Sequence, residues 1–182
     1  LPNFLRPFSD TFKWDVTMFK ALTKKYIENT LLLNKRKDYW FLDGLQNYLM
    51  LEYIQEFYPD TKLLGNLSNR WFLKSFHISK QDFNDKYPLV YQFISRRFLD
   101  QALVTSADSL SNFNRKIANK YKAGVGLKYL DDFVNQNIVE NSIESFLKQK
   151  KLIPTTVADF ENYITSKTDK NIDWFFEDYL TT

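Results

Sequence analysis

The sequence predicts an all-α protein, a multi-helix bundle in a single domain over residues 1–182. Apolar residues recur at helical spacing along most of the chain. Only 4 Gly and 5 Pro occur, which is few for a fold rich in β-turns and long loops. Aromatic residues make up 18% of the chain, which suits a core of large side chains between helices. No convincing β-alternation or internal repeat competes with this interpretation.

Two helices are predicted near the amino end, over residues 15–32 and 38–58. Asp15 is the expected N-cap of the first helix. Its apolar residues at helical spacing are Val16, Phe19, Leu22, Tyr26, Ile27 and Leu31. The second helix is apolar on more than one face, which indicates a buried central helix, and Pro59 stops it. Gly44 inside this helix predicts a close contact with another helix.

Further helices complete the predicted bundle. They cover residues 65–76, 88–102, 109–119, 122–136 and 139–150. Pro88 falls in the first turn of its helix, where its missing N–H is harmless. In TTVADFENYITSK, Thr156 and Asp159 resemble a capping box with Asp in place of Glu. A last short helix brings together the aromatic residues of NIDWFFEDYL.

The residue counts exclude several function classes. Because 25 basic and 22 acidic residues nearly balance, and the basic runs at 35–37 and 148–151 are short, nucleic-acid binding is not predicted. The chain has no Cys and a single His, His77, which is expected to be a cap or surface residue. That is too few ligands for a self-contained zinc site. No apolar stretch approaches the roughly 18 residues of a membrane span.

Three charged residues break the buried pattern of the first two helices. Lys20 and Lys24 lie four residues apart on the first helix, and Asp43 interrupts the run DYWFLDGLQNYL on the second. This run resembles the Trp-Leu-x-Glu-Gly-x-Ala-x-Tyr motif of the aminopeptidase N-like zinc metallopeptidases, which are gluzincins. In that family the Glu is the third zinc ligand, and it follows a His-Glu-x-x-His helix.

At the spacing of that family, the resemblance implies a zinc site that has been lost. With Asp43 in the position of the Glu ligand, Lys20 and Lys24 occupy the two His positions and Ala21 occupies the position of the catalytic Glu. A protonated Lys does not bind a metal, and Ala cannot act as the general base. The resemblance therefore implies no zinc, no other cofactor and no active catalytic residue in this chain.

Two later segments add to the resemblance, which extends over residues 15–180. NKYKAGVGLKYL is similar to the Tyr-x-Lys-Gly segment of the family, with Tyr121 in the place of the Tyr that stabilises the oxyanion. The Lys is shifted by one position. FENYITSKTDKNIDWFFEDYL is similar to the closing element of the catalytic domain. Together the segments imply a fold like the C-terminal helical lobe of thermolysin-like gluzincin catalytic domains.

The charge of Asp43 leads to a structural hypothesis. A buried carboxylate without zinc is uncompensated, which costs several kcal/mol. We expect the ammonium group of Lys20 or Lys24 to replace the charge of the metal in an ion pair. The alternative is that both lysines extend to solvent and that Asp43 caps a helix or faces water.

Three interpretations of the function follow from the resemblance. The first is a peptidase-like domain without catalysis that serves as a scaffold or as a protein or peptide interaction domain. The second is part of an active zinc metallopeptidase whose missing ligands lie outside this chain. The third is a peptide-binding module whose groove is lined by aromatic residues, for which core packing is the alternative. These aromatic residues are Tyr39, Trp40, Tyr48 and Tyr121.

The β-containing lobe that precedes the zinc helix in the family has no counterpart in this sequence. We therefore expect the chain to be a fragment of a longer one, with one wall of the cleft exposed. An exposed apolar patch is the expected consequence. Such a patch could bind a partner or pack on the rest of a parent chain.

Overall fold

The computed structural model describes residues 6–135 and 137–182, and every regular element in that part of the chain is helical. The α-helices there are α1 (Asp10–Thr30), α2 (Tyr39–Phe57), α3 (Lys86–Arg96), α4 (Asn119–Val134), α5 (Ile138–Gln149) and α6 (Val157–Thr165). The 3₁₀ turns are Gly65–Asn69, His77–Ser79 and Phe83–Asp85, and the π-helical turns are Asn114–Ala118 and Trp174–Tyr179. The predicted all-α class is confirmed.

The central helix is α2, as predicted for residues 38–58. Its apolar residues face all sides, and α1 and α4 are its main packing partners. Phe41 and Tyr48 are buried in a core shared with α4, α5 and α6. Gly44 permits the close approach of α4, because a Cβ at this position would lie 2.9 Å from the Cβ of Ala123. The close helix contact predicted from this glycine is confirmed.

A second apolar cluster joins α1 to α2 and α3. The ring of Phe12 contacts Phe83 and Tyr58 edge-to-face, with centroids 5.0 and 4.9 Å apart. Met50 on α2 and Tyr87 on α3 belong to the same cluster. The cluster therefore holds α1 and α3 next to α2, where Met50 and Tyr87 also line an open cleft.

The predicted start of the first helix is wrong. α1 begins at Asp10, and the Oγ of Ser9 accepts a hydrogen bond from the backbone N–H of Phe12 at 3.1 Å. Asp15 lies inside the helix, where its carboxylate accepts a hydrogen bond from the hydroxyl of Tyr58. The helix begins earlier than predicted because Phe12 is buried in the second cluster, which extends the packed face of α1 by one turn.

The helix predicted over residues 65–76 is also wrong beyond its first turn. The 3₁₀ turn ends at Asn69, and turns without α-helix follow. Trp71 and Phe72 expose 85% and 52% of their surface, so this segment has little core to pack against. Helical spacing without burial stabilises a helix of this length too weakly for it to form.

Other predicted helices are present with shifted ends. The helix predicted over 88–102 corresponds to α3, which ends at Arg96 and has Pro88 in its first turn as predicted. The segment 109–119 contains a π-helical turn instead of a full α-helix. The helix predicted over 122–136 corresponds to α4, which ends at Val134. Position 136, like residues 1–5 of the predicted domain, lies outside the described residues.

Two predictions for the carboxyl-terminal part of the chain are confirmed, a helix near 139–150 and the capping box of the next helix. The helix predicted over 139–150 is α5. At the start of α6 the Oγ1 of Thr156 accepts from the N–H of Asp159 at 3.3 Å, and an Asp159 oxygen accepts from the N–H of Thr156 at 2.8 Å. This is the predicted capping box. None of the helices in the described ranges is long and apolar enough to cross a membrane.

Candidate functional site: a lysine-lined cleft

An open cleft of about 480 Å³ lies beside α2. Its wall on the α1 side includes Lys20, and its wall on the α3 side includes Lys86. The π-helical turn contributes Lys116, and α4 contributes Lys120. Asp43 of α2 is the one carboxylate among the lining residues. We call this site the lysine-lined cleft.

The structure brings together three of the five positions that the family resemblance singled out. Lys20, Asp43 and Tyr121 all line the cleft. Ala21 and Lys24 are exposed on α1 and do not line it. The Nζ of Lys24 lies 3.9 Å from a carboxylate oxygen of Glu28, one turn further along the same helix.

Asp43 is buried on the cleft wall, with 5% of its surface exposed. Its Oδ2 lies 3.4 Å from the Nζ of Lys120, but that oxygen accepts no hydrogen bond from the residues the structure describes. The ion-pair partner of Asp43 is therefore Lys120 of α4. The predicted pairing with Lys20 or Lys24 is wrong, because α4 crosses α2 at Asp43 and carries its own lysine to this carboxylate.

Two side-chain amides of α2, close to Asp43 in the chain, bind the backbones of α1 and α4. The Nε2 of Gln46 donates a hydrogen bond to the backbone oxygen of Lys20 at 2.6 Å. The Nδ2 of Asn47 donates to the backbone oxygen of Lys120 at 2.9 Å. Both lysine backbones are thus fixed to α2 while their side chains extend into the cleft. The cleft is therefore a pre-formed feature of the bundle.

Burial and a neighbouring lysine lower the pKa of two lysines of the cleft. Burial, followed by the nearby charge of Lys20, lowers the pKa of Lys86 to about 8. Its Nζ lies over the ring of Phe83, 3.5 Å from the centroid. Partial desolvation and then the charge of Lys120 lower the pKa of Lys20, whereas the charge of Asp43 raises it. The Lys20 side chain nevertheless keeps an exposed surface. At neutral pH the cleft therefore holds an excess of ammonium groups.

The predicted aromatic groove is not present. Trp40 and Tyr48 are buried in the core, with 2% and 0% of their surface exposed. Tyr39 is half-buried, and burial together with the charge of Asp43 raises its pKa to about 12. Tyr121 is the one member of the set that lines the cleft, where its ring contacts that of Tyr87 edge-to-face at 4.9 Å. Core packing explains the buried members.

The lining residues do not fit a zinc ion. In residues 6–135 and 137–182, no group of three or more His, Cys, Asp or Glu side chains is arranged to hold a metal. His77 lies on an exposed 3₁₀ turn and does not line the cleft. The ammonium groups beside Asp43 would repel a dication at this position.

The comparisons with protein-family models, with curated protein sequences and with solved structures gave no match for this chain. The chemistry of the cleft is therefore argued from its own residues. Sequence reasoning missed Lys86, Lys116 and Lys120, which come from different parts of the chain. The one local signal for these lysines is the four-residue spacing of Lys116 and Lys120, which places two residues on the same face of a helix.

Proposed function

We propose that this chain is a non-catalytic, peptidase-like helical domain that binds a protein or peptide partner. The observation that carries the proposal is that Lys20, Asp43 and Tyr121 line one open cleft. These are the positions that the resemblance to aminopeptidase N-like gluzincins assigns to a His ligand, the Glu ligand and the oxyanion Tyr. Their common location supports a helical lobe that keeps the cleft of the family and has replaced its chemistry.

The replaced residues support binding without hydrolysis. A metallopeptidase needs a metal-bound water and a carboxylate that takes its proton. In the resemblance Ala21 stands at the position of that base, and the one cleft carboxylate, Asp43, is paired with the ammonium group of Lys120. These groups cannot activate water in this way, but they can form hydrogen bonds and ion pairs with a partner.

An exposed apolar stripe on α1 supports a protein partner. Trp14, Met18, Leu22 and Tyr26 follow one another at four-residue spacing and expose between 53% and 67% of their surface. Residues four apart lie next to one another on a helix, so the stripe is continuous. Contiguous exposed apolar surface of this kind is typical of interaction sites. α1 therefore offers a partner an apolar face in addition to the lysine at the cleft.

The test combines metal content, hydrolysis and binding on the purified chain. Zinc is measured by elemental analysis, hydrolysis with a set of aminoacyl-arylamides, and binding by fluorescence anisotropy with a library of labelled unstructured peptides. We expect no stoichiometric zinc, no hydrolysis and saturable binding of a subset of peptides. Stoichiometric zinc with arylamide hydrolysis would instead support the second interpretation, part of an active metallopeptidase. Absence of all peptide binding would overturn the interaction function.

A further inference from the structure

The lysine-lined cleft has a surplus of positive charge that the bundle does not neutralise. Lys20, Lys86 and Lys116 have no carboxylate within 4.0 Å among the described residues. Elsewhere on α4, by contrast, Lys128 lies 2.9 Å from Glu52 and 3.4 Å from Asp132. The fold thus compensates Lys128 and Lys120 on α4 and leaves the three other lysines of the cleft without a close carboxylate.

This surplus makes the cleft receptive to an anion. Like charges in a partly desolvated space repel one another, and a bound anion removes that repulsion. The lowered pKa of Lys86 reflects the burial of its ammonium group and the charge of Lys20. The π-helical turn that carries Lys116 has the kind of geometry that is frequent at functional sites.

The one carboxylate of the cleft lining, Asp43, does not cancel this surplus. Asp43 Oδ2 is buried and accepts no hydrogen bond from the described residues, and buried acceptors are normally paired. Lys120 lies 3.4 Å from this oxygen, so Asp43 offsets one of the four ammonium charges of the cleft. A suitable ligand therefore carries several negative groups, which balance the charges of the other lysines.

We propose that the lysine-lined cleft binds an acidic segment of a partner polypeptide. Its Asp and Glu carboxylates contact Lys20, Lys86, Lys116 and Lys120. The inference rests on the proposed interaction function and names the chemistry of the partner.

An acidic peptide fits this cleft better than a nucleic acid does. Single-stranded nucleic acids are bound by aromatic platforms on which successive bases stack. In the cleft, Tyr87 and Tyr121 contact each other edge-to-face and do not form such a platform.

The test is a titration of the full chain with three labelled peptides of equal length, read by fluorescence anisotropy. One peptide alternates Glu with Gly, the second carries Gln in place of Glu, and the third carries Lys. We expect the acidic peptide to bind at least about tenfold more tightly than the Gln peptide. Its affinity should fall between roughly 50 and roughly 200 mM salt. A labelled oligo-dT and inorganic phosphate are titrated in parallel.

Two matched variants localise the binding. Lys86→Gln combined with Lys120→Gln removes two charges from the cleft, and Lys148→Gln combined with Lys167→Gln removes two charges outside its lining. We expect the first variant to lose about tenfold in affinity for the acidic peptide and the second to lose less than about twofold. Equal losses in both variants would show unspecific charge attraction and would overturn the proposal.

The labelling of amines gives a second readout. At pH 8 an amine-reactive ester acylates Lys86, whose pKa is about 8, and mass spectrometry measures the rate. The acidic peptide should slow acylation of Lys86 and leave Lys148 unchanged, because carboxylates stabilise the protonated amine.

The outcomes separate this inference from the proposed function. Binding of the Gln peptide as tight as that of the acidic one, or preferential binding of oligo-dT, overturns the acidic partner. If neutral peptides bind and acidic ones do not, the interaction function stands and the inference fails. If no peptide binds at all, both fail.

Discussion

The Nζ of Lys120 lies 3.4 Å from the Oδ2 of Asp43, and this pair joins α4 to α2 at the wall of the lysine-lined cleft. Asp43 is almost fully enclosed, and the Lys120 side chain is about three-quarters enclosed, so water screens the pair less than an exposed pair. The pair also connects the two helices that form the main contact of the bundle. It is therefore both a structural contact and part of the candidate site.

The first prediction concerns the coupling within this pair. In a double-mutant cycle with Asp43→Asn and Lys120→Met, we expect a coupling energy of about 1 kcal/mol from urea unfolding curves. A cycle on the exposed pair of Glu144 and Lys148 on α5 is the matched control. There we expect about 0.3 kcal/mol. Equal coupling in the two cycles would contradict the enclosed character of the Asp43 pair.

The second prediction concerns the contact between α2 and α4. Gly44→Ala puts a methyl group 2.9 Å from the Cβ of Ala123, with rigid helices on both sides. We expect it to destabilise the fold by about 2 kcal/mol, more than the gain in helix propensity of about 1 kcal/mol. Urea unfolding measures the change. Adding Ala123→Gly to this variant should recover part of the lost stability, because it removes the clashing methyl group. If the double variant is less stable than Gly44→Ala alone, the contact with Ala123 is not the cause of the destabilisation.

The third prediction is a rise in stability with pH. The pKa of Lys86 is about 8 in the folded chain, against the ordinary lysine pKa of 10.5 in an unfolded chain. Between these values the unfolded state binds more protons, so the free energy of unfolding increases as pH rises from about 8 towards 10. We expect an increase on the order of 2 kcal/mol. Above pH 10 the raised pKa values of buried tyrosines such as Tyr87 oppose it.

Lys86→Met separates this effect from other titrations. The groups around Lys86 in the cleft are Lys20, Asp43, Lys116 and Lys120, and the variant leaves them all in place. We expect Lys86→Met to be more stable than the parent chain at pH 7 and to lose most of the pH dependence between 8 and 10. Lys148→Met, at an exposed position, should keep the dependence of the parent. A slope that persists in Lys86→Met would assign it to another group.

The fourth prediction tests the family resemblance itself. The substitutions Lys20→His, Ala21→Glu, Lys24→His and Asp43→Glu introduce the residue types of the gluzincin site. Lys120→Gln removes the ammonium group that would repel the metal. The resemblance predicts that this variant binds zinc in calorimetric titration, and absence of binding would agree with the structure, which places position 24 outside the cleft. Hydrolysis stays absent because no residue for substrate positioning is introduced.

A matched control distinguishes a designed site from adventitious binding. The same variant with Gln in place of Glu at position 43 lacks the third ligand and should bind zinc about tenfold more weakly. Circular dichroism checks that both variants keep the helical fold. Equal zinc affinity of the two folded variants would contradict the assignment of Asp43 to the ligand position.

The sequence alone determined the features that depend on local patterns. The apolar run of α2, the close contact at Gly44 and the capping box of Thr156 and Asp159 all follow from residues near one another in the chain. Local patterns failed where burial was decisive. α1 starts before Asp15 because Phe12 packs into a core, and the segment after Asn69 forms turns because its aromatic residues stay exposed.

Only the tertiary structure decided the composition of the site. The sequence singled out five positions, of which Ala21 and Lys24 lie outside the cleft. It did not predict Lys120 as the partner of Asp43, nor Lys86 and Lys116 as neighbours in the cleft. Which side chains meet across helices depends on how the helices cross and rotate against one another. That geometry comes from packing of whole helix faces, such as α4 on Gly44, which local residue spacing does not encode.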